Sequence, residues 1–102
     1  MAAQATVNER IDLKLSAIAA EIENLPAIVD EWPHMLDDHQ AGFLLEWDEM
    51  MARMESLDRA RIAYQMHPVQ QARYRELLRK LEEALPSIEQ LGLPRPKLDQ
   101  VF

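Results

Sequence analysis

The sequence predicts an all-α protein, an antiparallel helical bundle of three main helices plus a short helical segment. Apolar residues recur at spacings of three and four along most of the chain, which is the period of helices with one buried face. Only two of the 102 residues are glycine, and no stretch shows the polar and apolar alternation of a strand. The length suits a single domain, which we expect at residues 1–93, with an extended C-terminal tail at 94–102.

The first helix is predicted at about residues 6–24. Its apolar stripe alternates between spacings of four and three, and consists of Ile11, Leu15, Ile18, Ile22 and Leu25. This 3.5-residue repeat is typical of helices that pack nearly parallel to one another. Because proline lacks an amide hydrogen and clashes with the preceding turn, we expect Asn24 and Pro26 to end the helix.

A short helical segment of one or two turns is predicted at residues 26–32. Pro33 closes it, because the residue before a proline is disfavoured in the helical conformation. We expect Asp37 or Asp38 to cap the next helix, since an aspartate oxygen accepts hydrogen bonds from the open amides of a first turn.

The longest helix is predicted at about residues 38–66. Its apolar residues are Phe43, Leu44, Trp47, Met50, Met51, Met54, Leu57 and Tyr64. At 1.5 Å per residue this helix is roughly 40 Å long, which exceeds what a compact domain of this size needs. We therefore expect part of it to pack on a second chain.

A tight turn and a further helix complete a long central helical hairpin. His67 is expected near the cap of this helix, with Pro68 at its first position and Gln70 where a capping box places Glu or Gln. The apolar side of the helix comprises Tyr74, Leu77, Leu78, Leu81, Ala84, Leu85, Ile88 and Leu91.

Three signals mark the end of the last helix. Pro86 is expected either to kink the helix or to restart it. Gly92 is expected to stop it with a positive φ, so that Leu93 contacts Ile88. In the tail, the apolar residues Leu98, Val101 and Phe102 either dock on the bundle or on another subunit, or belong to a frayed end.

Composition narrows the class of protein. The chain has no cysteine, which excludes disulfides, thiolate metal sites and a thiol nucleophile and favours a reducing cytoplasm. The first ten residues have neither a basic start nor an apolar core of secretory length. No apolar run approaches the roughly 20 residues of a membrane span, so we expect no membrane role.

Charge is unevenly distributed along the chain. The formal net charge is −7, but residues 21–58 contain eleven acidic residues and one basic residue, for a net −10. Residues 59–80 contain six basic residues and one acidic residue, for a net +5. Such asymmetry steers a partner or orders two copies, although surface charge usually serves only solubility.

Catalytic and metal-binding patterns are weak. Glu31 and His34 have the Glu-x-x-His spacing of di-iron bundles, but Pro33 interrupts it and no second such pair exists. His34, His39 and His67 accompany neither a nucleophile motif nor a glycine-rich loop. We therefore expect no enzyme activity and no cofactor, and keep a metal-binding bundle as the weakest alternative.

The leading hypothesis is a non-catalytic protein–protein interaction or regulatory module that acts as a homodimer or higher oligomer. The candidate interface residues are Phe43, Leu44, Trp47, Met50, Met51, Met54, Leu57, Tyr74, Leu78, Arg59, Arg61 and Arg73. The apolar members either belong to a plain core or line an adaptable, methionine-rich groove. A core shared between subunits satisfies both interpretations.

Two alternatives involve charged partners. Arg59, Arg61, Arg73, Arg75 and Arg79 flank the turn and either form a phosphate-binding patch or meet the acidic face of a second copy. Direct nucleic-acid binding is disfavoured by the overall negative charge. The acidic stretch instead suggests an antitoxin or inhibitor that neutralises a basic, nucleic-acid-binding partner by imitating a nucleic-acid backbone.

Overall fold

The structure is a computed structural model that describes residues 6–95. Three helices contain most of these residues: α1 at Val7–Glu31, α2 at Asp37–Ile62 and α3 at Pro68–Gln90. A 3-10 turn at Trp32–His34 connects α1 to α2. The predicted all-α bundle of three main helices is confirmed. No helix within residues 6–95 combines the length and the apolar character needed to cross a bilayer.

Hydrogen bonds between α1 and α3 fix the relative direction of these helices. Gln70 Nε2 donates to the Asn8 carbonyl oxygen at 3.1 Å, and Lys80 Nζ lies 3.1 Å from Glu23 Oε1. Residue numbers therefore increase together along the two helices, so α1 and α3 run parallel.

Helix α2 runs in the opposite direction. Lys14 Nζ donates to Ser56 Oγ at 2.8 Å near the start of α1, while the Trp32 and Phe43 rings meet edge to face at 5.8 Å near its end. The start of α1, the end of α2 and the start of α3 therefore lie at one end of the bundle.

Helix α1 packs against both other helices. All five residues of its predicted stripe are buried, which confirms the repeat that defined it. The largest fully buried apolar and aromatic residues contributed by the other helices are Trp47, Met50, Met54, Leu57, Tyr74, Leu81 and Ile88. One apolar core therefore joins all three helices within a single chain.

The predicted end of the first helix is wrong, because α1 continues through Pro26 to Glu31. The separate segment at residues 26–32 is absorbed into α1 and the following 3-10 turn. Proline inside a helix costs about 3 kcal/mol. Leu25 is buried and Ile28 half-buried against the core, and each such side chain contributes about 1.5–3 kcal/mol when fully buried. The burial of Leu25 and Ile28 thus offsets the cost of placing Pro26 inside the helix.

The predicted boundaries of the second helix also need correction. Leu36 is its N-cap and makes no side-chain capping bond, while Asp37 and Asp38 lie in the first turn. The helix ends at Ile62 rather than near residue 66, and Tyr64 follows at φ 59°. Tyr64 is 92% exposed and is not part of the apolar stripe to which the spacing assigned it.

The predicted start of α3 is confirmed. Gln70 N donates to His67 Nδ1 at 3.3 Å, and His67 N donates to Gln70 Oε1 at 3.2 Å, which completes the capping box. The helix then runs without interruption through Pro86, so it neither stops nor restarts there.

The predicted stop of α3 is also confirmed. Gly92 has φ 70°, and Leu93 N donates to the Ile88 carbonyl oxygen at 3.0 Å, with both side chains buried. A positive φ at Gly92 and this hydrogen bond are typical of the Schellman motif at the end of a helix. The tail residues expected to dock or fray, Leu98, Val101 and Phe102, lie outside the described residues.

The three helices have similar lengths, with 25, 26 and 23 residues. Helix α2 is therefore about as long as its neighbours. Its length alone gives no reason to expect that it packs on a second chain. Packing of α2 on a second chain therefore stays a prediction that needs other support.

Trp47→Ala is expected to lower the free energy of unfolding by about 3–5 kcal/mol, the usual cost of truncating a buried aromatic side chain. Trp47 is 1% exposed, and its Nε1 donates to the Pro94 carbonyl oxygen at 2.8 Å. Denaturant unfolding gives the value, and Trp47→Phe, which keeps most of the apolar ring, serves as the control. A loss below about 1 kcal/mol would show that the ring is not part of the core.

Tyr64→Gly is expected to stabilise the protein by about 1 kcal/mol, because a side chain at positive φ is strained and glycine is not. The matched control is Gly92→Ala, which places a side chain at φ 70° and should destabilise by a similar amount. A Cβ at Gly92 meets no atom within 4 Å, so the loss would be conformational. Thermal unfolding of both variants compares the two helix ends, and a destabilised Tyr64→Gly variant would refute the strain at Tyr64.

Candidate interaction surface on the second helix

The candidate interface residues from the sequence divide into buried and exposed groups. The buried apolar members are Phe43, Trp47, Met50, Met51, Met54, Leu57, Tyr74 and Leu78. They form part of the core of one chain. Leu44 is 40% exposed, and Arg59 lies on the surface. A partner that binds the folded chain therefore meets other residues than the methionine stripe.

A buried carboxylate holds two of the candidate residues in place. Tyr74 Oη donates to Asp58 Oδ1 at 3.1 Å, and Arg61 Nε and Nη2 donate to the same oxygen at 3.1 and 3.0 Å. Asp58 and Tyr74 are both buried between α2 and α3. Burial first, and then the adjacent Asp58 carboxylate, raise the pKa of Tyr74 above its ordinary value. This cluster is a structural link between the two helices of the hairpin.

The predicted arginine patch is divided by contacts within the chain. Arg73 donates to Asp12 Oδ1 at 3.3 Å and to Ser16 Oγ at 3.0 Å. Arg79 binds two glutamates of its own helix, and Arg61 binds Asp58. The ion pairs of Arg79 are exposed and raise its pKa, while the same contact lowers the pKa of Glu76.

Arg59 and Arg75 line different clefts. Arg59 borders a groove of about 340 Å³ between α1 and α2, together with Arg10 and Lys14. Arg75 borders a cleft of about 320 Å³ between α2 and α3, beside Arg61. Arg59 therefore lies in a different groove from Arg61 and Arg75.

The fold converts the charge asymmetry of the sequence into two charged ends. We define the acidic end as residues 21–49 and 82–95, which contain twelve acidic residues and one basic residue, for a net −11. The basic end, residues 6–20 and 50–81, contains nine basic and five acidic residues, for a net +4. The up-down-up topology gathers each group, because α2 reverses direction between two parallel helices.

One face of α2 points away from the core. We define the outer stripe as the six residues at spacings of three and four along this face: Leu45, Asp48, Ala52, Glu55, Arg59 and Ile62. Glu55 is half-buried and the other five are exposed. Leu45 is 66% exposed and Ile62 is 49% exposed, so each end of the stripe presents a large apolar side chain to water.

Of the six residues of this stripe, only Arg59 is among the interface residues that the sequence predicts. The signal was present in their heptad spacing, but the adjacent pair Leu44 and Leu45 hid it. A helix turns 100° per residue, so neighbouring leucines face different directions. The spacing assigned Leu44 to the buried stripe of α2 and left Leu45 out.

The proposed metal ligands do not assemble into a site in the described part of the chain. Glu31 and His34, the residues of the Glu-x-x-His pair, are exposed at the α1–α2 connection. No group of three or more His, Cys, Asp or Glu residues within 6–95 is arranged to hold a metal ion.

Tyr74→Phe tests the buried carboxylate through its pH dependence. Near pH 8 the variant should be less stable by about 1–3 kcal/mol, because Asp58 loses a buried donor. The raised pKa keeps the phenol protonated in the folded chain, whereas the unfolded phenol ionises above pH 10. Stability from this group is therefore present below pH 10 and lost above it.

The difference in free energy of unfolding between wild type and Tyr74→Phe should accordingly shrink between about pH 8 and about pH 11. Tyr64→Phe is the matched control, because it removes the same hydroxyl from a side chain that is 92% exposed. A constant difference for Tyr74→Phe would contradict the burial of the phenol against Asp58.

The chain matches no protein-family model, and comparisons with curated proteins and with solved structures give no match. Hypotheses about its function therefore rest on the surface features described above.

Proposed function

We propose that the protein is a non-catalytic interaction module that acts as a homo-oligomer, most simply a dimer. The observation that carries the proposal is the outer stripe of α2, which follows the three-and-four spacing of a helix seam and exposes a large apolar side chain at each end, Leu45 and Ile62. Residues at this spacing lie on one face of a helix, where they can contact a second helix. The absence of cysteine makes a reducing cytoplasm the expected location.

The closed core determines what kind of oligomer is proposed. Since the apolar faces of all three helices are covered within one chain, association joins chains that are already folded. Contact along one helix pair lies at the small end of specific interfaces, so we expect a reversible dimer of micromolar affinity. Larger oligomers would use the charged ends.

A second candidate function is inhibition of a basic protein partner. The observation that favours it is the acidic end, whose net charge of −11 is gathered from all three helices. A dense carboxylate surface competes with nucleic acid for a basic groove. This function requires a partner and no self-association, so the two candidates separate in experiments on the purified protein.

The test is absolute mass by light scattering coupled to size exclusion, over a range of protein concentrations. At about 0.1 M salt we expect a dimer in equilibrium with monomer. At about 1 M salt, where the Debye length falls from about 10 Å to about 3 Å, the equilibrium should shift toward monomer because the charged contacts are screened. A monomer at every concentration in low salt would refute the homo-oligomer and direct attention to the inhibitor.

A further inference from the structure

We propose that the outer stripe of α2 pairs with the same stripe of a second copy, with the two α2 helices antiparallel across a two-fold axis. This inference rests on the proposed function and specifies its interface. The partner is a second copy because the stripe carries both halves of a complementary surface on one helix.

The spacing of the stripe permits this pairing. Its six residues follow one another at intervals of three, four, three, four and three, a series that reads the same in both directions. Two antiparallel copies can therefore face each other along the whole stripe, over about 26 Å at 1.5 Å per residue. Heptad spacing suits helices that cross at about 20°.

The antiparallel alignment pairs the two apolar ends of the stripe. Leu45 lies opposite Ile62 of the second copy, and the two-fold axis repeats this contact at the other end. Both side chains are among the large exposed hydrophobic residues of the chain. Burial of this apolar surface favours association.

Charge provides the register. In the same alignment Asp48 lies opposite Arg59 of the second copy, so the dimer contains two oppositely charged pairs. Both side chains are exposed in the single chain. Near the axis Ala52 lies opposite Glu55 of the second copy. The small side chain of Ala52 allows the two helices to approach closely. Complementary charges of this kind set orientation and exclude wrong pairings.

A parallel arrangement of the two helices is disfavoured by the same residues. In register, it would place Asp48 against Asp48 and Arg59 against Arg59, and like charges at close range repel. The antiparallel arrangement also sets the acidic end of one bundle, at −11, beside the basic end of the other, at +4. The local pairs and the distribution of charge over the whole bundle therefore favour the same orientation.

The inference is tested by exchanging the charges of the pair. Asp48→Arg and Arg59→Asp, each alone, should raise the dissociation constant of the dimer at least about tenfold, because each homodimer would then contain two repulsive pairs. Sedimentation velocity over a concentration series gives the constants. Circular dichroism establishes that each exposed-site variant remains helical.

Mixing the two variants tests the antiparallel register directly. A heterodimer of Asp48→Arg with Arg59→Asp contains two attractive pairs, one native and one exchanged, so the mixture should dimerise within about threefold of the wild-type constant. Failure of the mixture to recover dimerisation would overturn the antiparallel register.

Matched controls separate the pair from a general effect of net charge. Glu82→Arg and Arg75→Asp make comparable charge changes on exposed positions of α3, and should change the dissociation constant less than about twofold. Equal weakening by these controls would overturn the proposed pair. A wild-type dimer that is indifferent to both α2 variants would overturn this inference and leave the homo-oligomer standing. A monomeric wild type would overturn both.

Discussion

The apolar stripe of α1 is the element on which the rest of the structure depends. One row of five buried side chains, from Ile11 to Leu25, supports both α2 and α3. Because this row repeats every 3.5 residues, it stays in contact with neighbours that lie nearly parallel to it. The same requirement explains why α1 passes through Pro26, since Leu25 and Ile28 contact the core on either side of the proline. Removing α1 would expose the apolar faces of the whole hairpin.

Closure of the core within one chain changes where partner binding is expected. The methionine-rich side of α2 is buried inside the bundle, so recognition depends on what the helices present outward. We consider two outward features as candidates for partner binding: the segregation of charge between the ends of the bundle and the outer stripe of α2. The segregation of charge follows from the topology, because α2 is the one helix whose direction opposes the other two. The outer stripe follows from the sequence of α2, which places Asp48 toward the acidic end and Arg59 toward the basic end.

Local signals in the sequence predicted much of this fold. The helical spacing identified the buried stripes, and the cap at His67 and the stop at Gly92 depend on a few neighbouring residues that can be recognised without tertiary structure. The end of α1 was mispredicted because distant packing outweighs the local cost of Pro26. The turn at Tyr64 was missed because no glycine marks its positive φ. The outer stripe was missed because the spacing assigned Leu44 to the buried stripe and left Leu45 out, whereas both leucines are exposed.

Circular dichroism during dilution tests most directly whether the core belongs to one chain. Helix content would be followed across a concentration range in which the absolute mass falls to that of a monomer. A core closed within the chain predicts that helix content stays nearly constant through dissociation, because each monomer retains its buried stripes. Loss of helix in step with dissociation would contradict it, since chains that share a core have no stable folded monomer.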